Sequence, residues 1–134
     1  MKRHILRMVI LLVAVAVVAA CGNGGGGAAP AAGGNVEAGK ALFAQNTIGS
    51  QPGCVTCHSL EAGKTLVGPS LAGIGAAAAG KVSGESAEQF LHNSILTPNA
   101  YVEGGFAQGI MPDYKDTLSE QQVNDLVAYL LTLK

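Results

Sequence analysis

Three stretches of the chain repeat apolar positions at helical spacing, and the segments between them do not. Nearest the C-terminus, Val123, Leu126, Val127 and Leu130 recur at i, i+3, i+4 and i+7 behind Ser119-Glu-Gln-Gln122, which has the form of a capping box. That spacing predicts a final amphipathic helix. Ser86-Ala-Glu-Gln89 has the same form and opens a second helix, with Phe90, Leu91 and Ile95 on one side and a stop before Pro98. Residues 36–46, "VEAGKALFAQN", read as the first helix, with Leu42 and Phe43 apolar and Glu37 near the end where the macrodipole favours an anion. Gly39 costs this helix about 1 kcal/mol relative to alanine, which points to a close crossing with another backbone. Elsewhere glycine and proline are dense, and no alternating strand pattern lasts more than a few residues.

Ahead of these elements the pattern changes twice. Met8 to Ala20 is an unbroken apolar run of 13 behind the basic residues Lys2, Arg3 and Arg7. This length suits an export signal, whereas a bilayer-spanning helix takes about 20 residues. Val18-Ala19-Ala20-Cys21 resembles the bacterial lipoprotein box, which implies that Cys21 is lipidated and becomes the new N-terminus. Several acyl chains on one residue give stable anchoring where a single chain gives only marginal binding. The stretch that follows, "GNGGGGAAPAAGGN", carries no charge and too little apolar area to offset the entropy of ordering it. It is expected to be a flexible tether with a reach of roughly 20 Å. The expected organisation is therefore a signal peptide over 1–20, a lipidated cysteine and tether over 21–35, and one folded domain over 36–134.

Length allows one domain and little more, since the whole chain has 134 residues. Hydrophobic content is 49%, but part of it lies in the N-terminal run, aromatics are 4% and tryptophan is absent. Three short helices joined by loops such as "TPNAYVEGGFAQGIMPDY" make a thin core, so something the chain does not encode is expected to fill the middle. Loss of Lys2, Arg3 and Arg7 with the signal leaves five basic residues against nine acidic ones. The five are scattered, which excludes nucleic acid as a partner and leaves no steering face to be read.

The chemistry sits in Cys54-Val-Thr-Cys57-His58. On a helical turn, positions three apart share a face, so both thiols can reach the vinyl groups of one porphyrin and form thioethers. His58 can then offer its imidazole to the iron from the same side. An electron-carrying haem takes a second strong-field ligand, and once the signal is removed the only methionine is Met111, in a loop followed by the last helix. His92 is the rival ligand, for a bis-histidine site, but it falls inside the predicted second helix beside Asn93 and reads as a surface residue. Two other uses of the motif compete. Structural zinc needs four ligands, and outside the motif the chain adds only His92 and Cys21. A redox-active cysteine pair needs a βαβ setting, which the pattern lacks.

The whole of residues 36–134 resembles the class I, mono-haem cytochromes c, and in particular the cytochrome domain joined to subunit II of some bacterial haem-copper oxidases. The residues that carry the resemblance are "GKALF", "CVTCH", "GPSL", "SILTPNAYV", "MPDY" and "LVAYLLTL", in the family's order. The resemblance implies a small all-α fold of three to five short helices and long loops wrapped around one haem c bound through Cys54 and Cys57. It implies His58 as proximal ligand, Met111 as distal ligand, and the Pro69 carbonyl as acceptor of the imidazole N–H. It also implies that Gly39 and Phe43 meet the last helix near Tyr129. No copper-binding domain precedes the cytochrome segment, so assignment as an oxidase subunit II is not supported.

The expected function is single-electron transfer by a carrier rather than an enzyme, exported and anchored to the outer face of a bacterial membrane, in the periplasm or at the cell surface. The alternative is a haem enzyme or ligand sensor with a displaceable distal ligand, although no acid–base pair beside an open iron can be read from the spacing. Partners implied by the resemblance are redox proteins of a respiratory or photosynthetic chain. These are a quinol-oxidising complex as donor and an oxidase or reaction centre as acceptor.

Overall fold

The computed structural model describes residues 33–134. The expected export signal, Cys21 and most of the expected tether lie outside that range. Five helices account for most of the regular structure: α1 (Val36–Phe43), α2 (Cys54–Cys57), α3 (Ile74–Ala77), α4 (Ala87–Leu96) and α5 (Glu120–Leu131). One antiparallel pair, β1 (Thr47–Ile48) with β2 (Gln51–Pro52), joins α1 to α2, with Ile48 opposite Gln51. At two residues per strand it is too short to leave an alternating pattern in the sequence.

Both expected capping boxes form. Ser86 accepts from the Gln89 backbone N–H while the Gln89 side chain accepts from Ser86 N–H, and Ser119 and Gln122 repeat the arrangement on α5. Each box satisfies two of the orphan donors at a helix start. The first helix ends at Phe43, three residues before the expected end, because the chain turns at Ala44 and Gln45 toward the strand pair. At its other end it begins with a side-chain cap from Asn35, whose Oδ1 accepts from Ala38 N–H.

The spine of the fold is α5. Val123, Leu126, Val127 and Leu130 are all buried, with Val123 and Leu126 among the least exposed side chains. α1 crosses α5 at a separation that only glycine permits. A Cβ on Gly39 would overlap the Asp125 carbonyl group and lie 2.9 Å from Tyr129 Cβ. Beside this crossing the rings of Phe43 and Tyr129 pack with centroids 5.6 Å apart. Gly34 and Gly75 press on the α5 backbone in the same way, at Asn124 and at Leu131.

Asp125 is a charged group inside this packing, and its partners explain how it is tolerated. Its Oδ1 accepts from the Asn35 backbone N–H at 2.7 Å and from Gln121 Nε2 at 2.8 Å. Gln121 Nε2 also donates to the Gly33 carbonyl at 2.9 Å. The carboxylate also lies at the N-terminal end of α1, where the helix dipole favours it. Among the described residues, Gly33 and Asn35, within the stretch expected to be tether, thus already contact the domain.

Candidate functional site

The core is hollow. Phe43, Phe90, Leu91, Ile95, Leu126 and Leu130 form one wall of a cavity of about 430 Å³. That volume is within the range of small-molecule and cofactor sites. The remaining walls come from loops: the turn around α2, the segment 67–71 and the segment 98–112.

α2 is a single turn that sets both thiols and the following imidazole. Gly53 opens it because the backbone of Gln45 and Asn46 leaves no room for a Cβ, and Thr56 Oγ1 donates to the Gly53 carbonyl at 2.6 Å. Cys54 and Cys57, three apart, are both free thiols, and both line the cavity beside His58. Burial pushes the Cys54 thiol up to about 11, its own backbone hydrogen bond opposes the shift, and the neighbouring Cys57 adds to it. At neutral pH Cys54 is therefore a protonated, apolar-facing thiol. A cysteine tuned for disulfide exchange has its thiolate stabilised instead.

His58 leaves α2 in an extended conformation, and its ring is fixed from behind. The Nδ1 atom lies 2.9 Å from the Pro69 carbonyl. Because a carbonyl only accepts, Nδ1 donates to it, which leaves Nε2 as the ring nitrogen available to ligate a metal. Two backbone bonds hold Pro69 there, Gly68 N–H to Cys57 O at 2.9 Å and Leu71 N–H to Ser59 O at 2.8 Å. Gly68 is glycine because a Cβ would meet the His58 ring at 2.6 Å.

Met111 lines the cavity and packs half-buried against the core. Its loop is pinned on both sides. Asn99 Oδ1 accepts from Gly109 N–H at 2.7 Å, where Gly109 adopts a φ of 76°. On the other side Tyr114 Oη donates to the Pro52 carbonyl at 2.6 Å, tying the segment after Met111 to the one before Cys54. The fold thus brings Cys54, Cys57, His58, Pro69 and Met111 to one cavity. His92 stands apart from it, on α4, paired with Glu120 at 3.2 Å. Among the described residues no three His, Cys, Asp or Glu side chains gather as a metal cage.

Three contributors escaped the sequence reading. Gly68 and Tyr114 stand inside the quoted segments "GPSL" and "MPDY", so a signal was present without its physical reason. The ion pair of Lys81 with Glu103, both on the cavity lining, joins residues 22 apart and left none.

Tyr114 carries a pH prediction. Its hydroxyl, ordinarily near 10.0, is pushed up to about 12, first by burial, with a lesser contribution from charge on Cys54 and Cys57 that thioether formation removes. The neutral, protonated form is the one the fold prefers. Its contribution is complete below pH 10 and is lost as pH rises through about 12. Tyr114→Phe should cost about 1 kcal/mol at neutral pH and flatten the alkaline limb of a denaturant-stability profile. A residual slope is expected because burial shifts Tyr129 in the same direction. An equally steep limb in the variant would show that Tyr114 does not report there.

Residues 36–134 match the family model described as Cytochrome c. A cytochrome c2 of Rhodopseudomonas palustris is 35% identical over 119 residues, covering 72% of this chain and 96% of the relative. A cytochrome c2 from Rhodopseudomonas palustris strain ATCC BAA-98 / CGA009 is 31% identical over 123 residues, covering 75% of this chain and 81% of that one. Cytochrome c2 iso-2 of Magnetospirillum molischianum is 61% identical over 31 residues, covering 23% of this chain and 32% of the relative.

Proposed function

The chain belongs to the cytochrome c family, and from that premise we propose that it shuttles single electrons through a haem held between His58 and Met111, tethered to a membrane by Cys21. Membership carries one covalently bound haem c and the role of an electron carrier, not an enzyme. The finer assignments rest on one observation. Two thiols, an imidazole hydrogen-bonded to Pro69 and a thioether line a single apolar-walled cavity within a helical shell.

That donor set fits the group. Cys54 and Cys57 are spaced for two thioether bonds, and both thiols line the cavity where the vinyl carbons would be received. Haem iron supplies the one-electron couple. His58, hydrogen-bonded to Pro69, offers Nε2 without needing to reorient, and Met111 offers a soft sulfur that favours the ferrous state. Phe43, Phe90, Leu126 and Leu130 keep water and high dielectric away from the site. Burial of this kind raises the potential and limits reorganisation.

A ferric holoprotein of this kind should show the weak sulfur-to-iron absorption band at the red edge of the visible spectrum. A high-spin spectrum, or tight carbon monoxide binding to the untreated ferrous protein, would refute His58/Met111 ligation.

The tethering half of the reading rests on the lipoprotein-like "VAAC" before the glycine-rich stretch. It places the carrier outside the cytoplasm, on the outer face of a bacterial membrane, passing electrons from a quinol-oxidising complex toward an oxidase or reaction centre. No helix among the described residues is long and apolar enough to cross a membrane. Cys21→Ser should release the protein from membranes with its haem content unchanged, and continued retention after a salt wash would exclude the lipid anchor.

A further inference from the structure

The segments that carry His58 and Met111 are mounted differently. On the side of His58, the Pro69 carbonyl that holds the ring is flanked by two backbone bonds, from Gly68 N–H to Cys57 O and from Leu71 N–H to Ser59 O. On the side of Met111, residues 107–113 make no well-formed backbone–backbone hydrogen bond among the described residues. Their only regular feature is a turn at Gln108–Gly109. One side chain bonds to this backbone, Asn99, whose Oδ1 accepts from Gly109 N–H at 2.7 Å.

Asn99 is rigidly mounted. It is the middle residue of a 3-10 turn, Pro98–Ala100, whose proline is buried and fixed in φ, and Ala100 N–H closes the turn on the Thr97 carbonyl at 2.9 Å. Thr97 binds the Asn93 carbonyl twice, through its backbone N–H at 2.7 Å and its hydroxyl at 3.0 Å, so the turn extends α4. The loop on the other side of the Asn99 bond has no such support. Gly104, Gly105 and Gly109 are exposed, and a Cβ on any of them would meet nothing within 4 Å.

We infer that Asn99 is the positioning residue of the distal donor: its side-chain oxygen latches the Met111 loop onto the end of α4, and the latch sets how readily Met111 yields to another ligand. The inference rests on the His58/Met111 reading above. A ligand from solution reaches the iron only when the Met111 loop is open, so its apparent affinity is its intrinsic affinity reduced by the open fraction. Loss of the latch raises that fraction and tightens the ligand by the same factor.

The test is an imidazole titration of the full-length ferric holoprotein, followed by loss of the red-edge band. In that exchange the Met111 sulfur–iron bond breaks, an imidazole nitrogen–iron bond forms, and the iron stays ferric. Asn99→Leu keeps the bulk and removes the acceptor, and loss of one hydrogen bond should make imidazole bind about fivefold tighter. Asn99→Asp keeps an oxygen acceptor, and should bind imidazole no more than about twofold tighter than wild type. Ser86→Ala removes the cap at the far end of α4 and lowers overall stability without touching the loop, and it should also stay within about twofold. Wild-type affinity in Asn99→Leu would overturn the latch, as would equal tightening in Asn99→Asp or in Ser86→Ala. A wild-type ferric protein that is high-spin and lacks the band would instead overturn the His58/Met111 ligation on which the inference depends.

Discussion

With Met111 as the proposed distal ligand, Met111→Ala should leave the haem attached through Cys54 and Cys57 but lower its reduction potential by on the order of 100 mV or more, and open the iron to exogenous ligands. The thioether is the only soft donor on the cavity lining besides the two cysteines, and loss of a sulfur ligand removes the preference for the ferrous state. His92 cannot take its place, because it sits on α4 with its ring toward Glu120. The measurements are a redox titration, the red-edge absorption band and carbon monoxide binding to the ferrous protein. An unchanged potential with the band intact would mean that another side chain fills the distal position. Folding should survive, since Met111 is only partly buried at the edge of the core and α1, α4 and α5 pack without it.

Gly39→Ala has the larger effect on stability and leaves the donor set untouched. The added Cβ would fall on the Asp125 carbonyl, which is main chain and part of α5, so no side-chain rotation relieves it. The helices must separate along the crossing that also seats Phe43 against Tyr129. Overpacking of this kind costs about 3 kcal/mol at the upper end of its range, which in a domain of this size lowers the melting temperature by about 15 °C. A thermal melt of the holoprotein checks it. A fall of only a degree or two would show that α1 can shift without cost. Redox potential should stay near wild type, because Gly39 lies outside the cavity lining.

Much of this architecture was legible because its signals are local. A capping box occupies four residues, an amphipathic face four positions of one helix, and the two thiols and the imidazole five consecutive residues. Gly39 was legible as a conflict, since a residue poor in helix propensity inside a helix asks for a reason, and the α5 backbone supplies it. The hollow centre followed from a shortage of large side chains. What escaped depends on pairing across distance. Asp125 reads as one more polar residue of an amphipathic helix until Asn35 is found 90 positions away. The end of α1 at Phe43 is set by where the strand pair begins, and Lys81 meets Glu103 only because the fold brings residues 22 apart to the same cavity lining. His58 could be named from its motif, while the bonds that hold Pro69 behind it needed the positions of Cys57 and Ser59.

Under the tethering proposed above, the clip at Asp125 has a mechanical meaning. Any pull arriving from the N-terminal side reaches the domain at Gly33 to Asn35, where two hydrogen bonds from Gln121 and to Asp125 pass it into α5. The load path then runs along the α1–α5 crossing and ends in helix. It bypasses the loops that carry Met111, Pro69 and Val67. Under that proposal a pull on the attachment enters the helices at α5 rather than the loops of His58 and Met111.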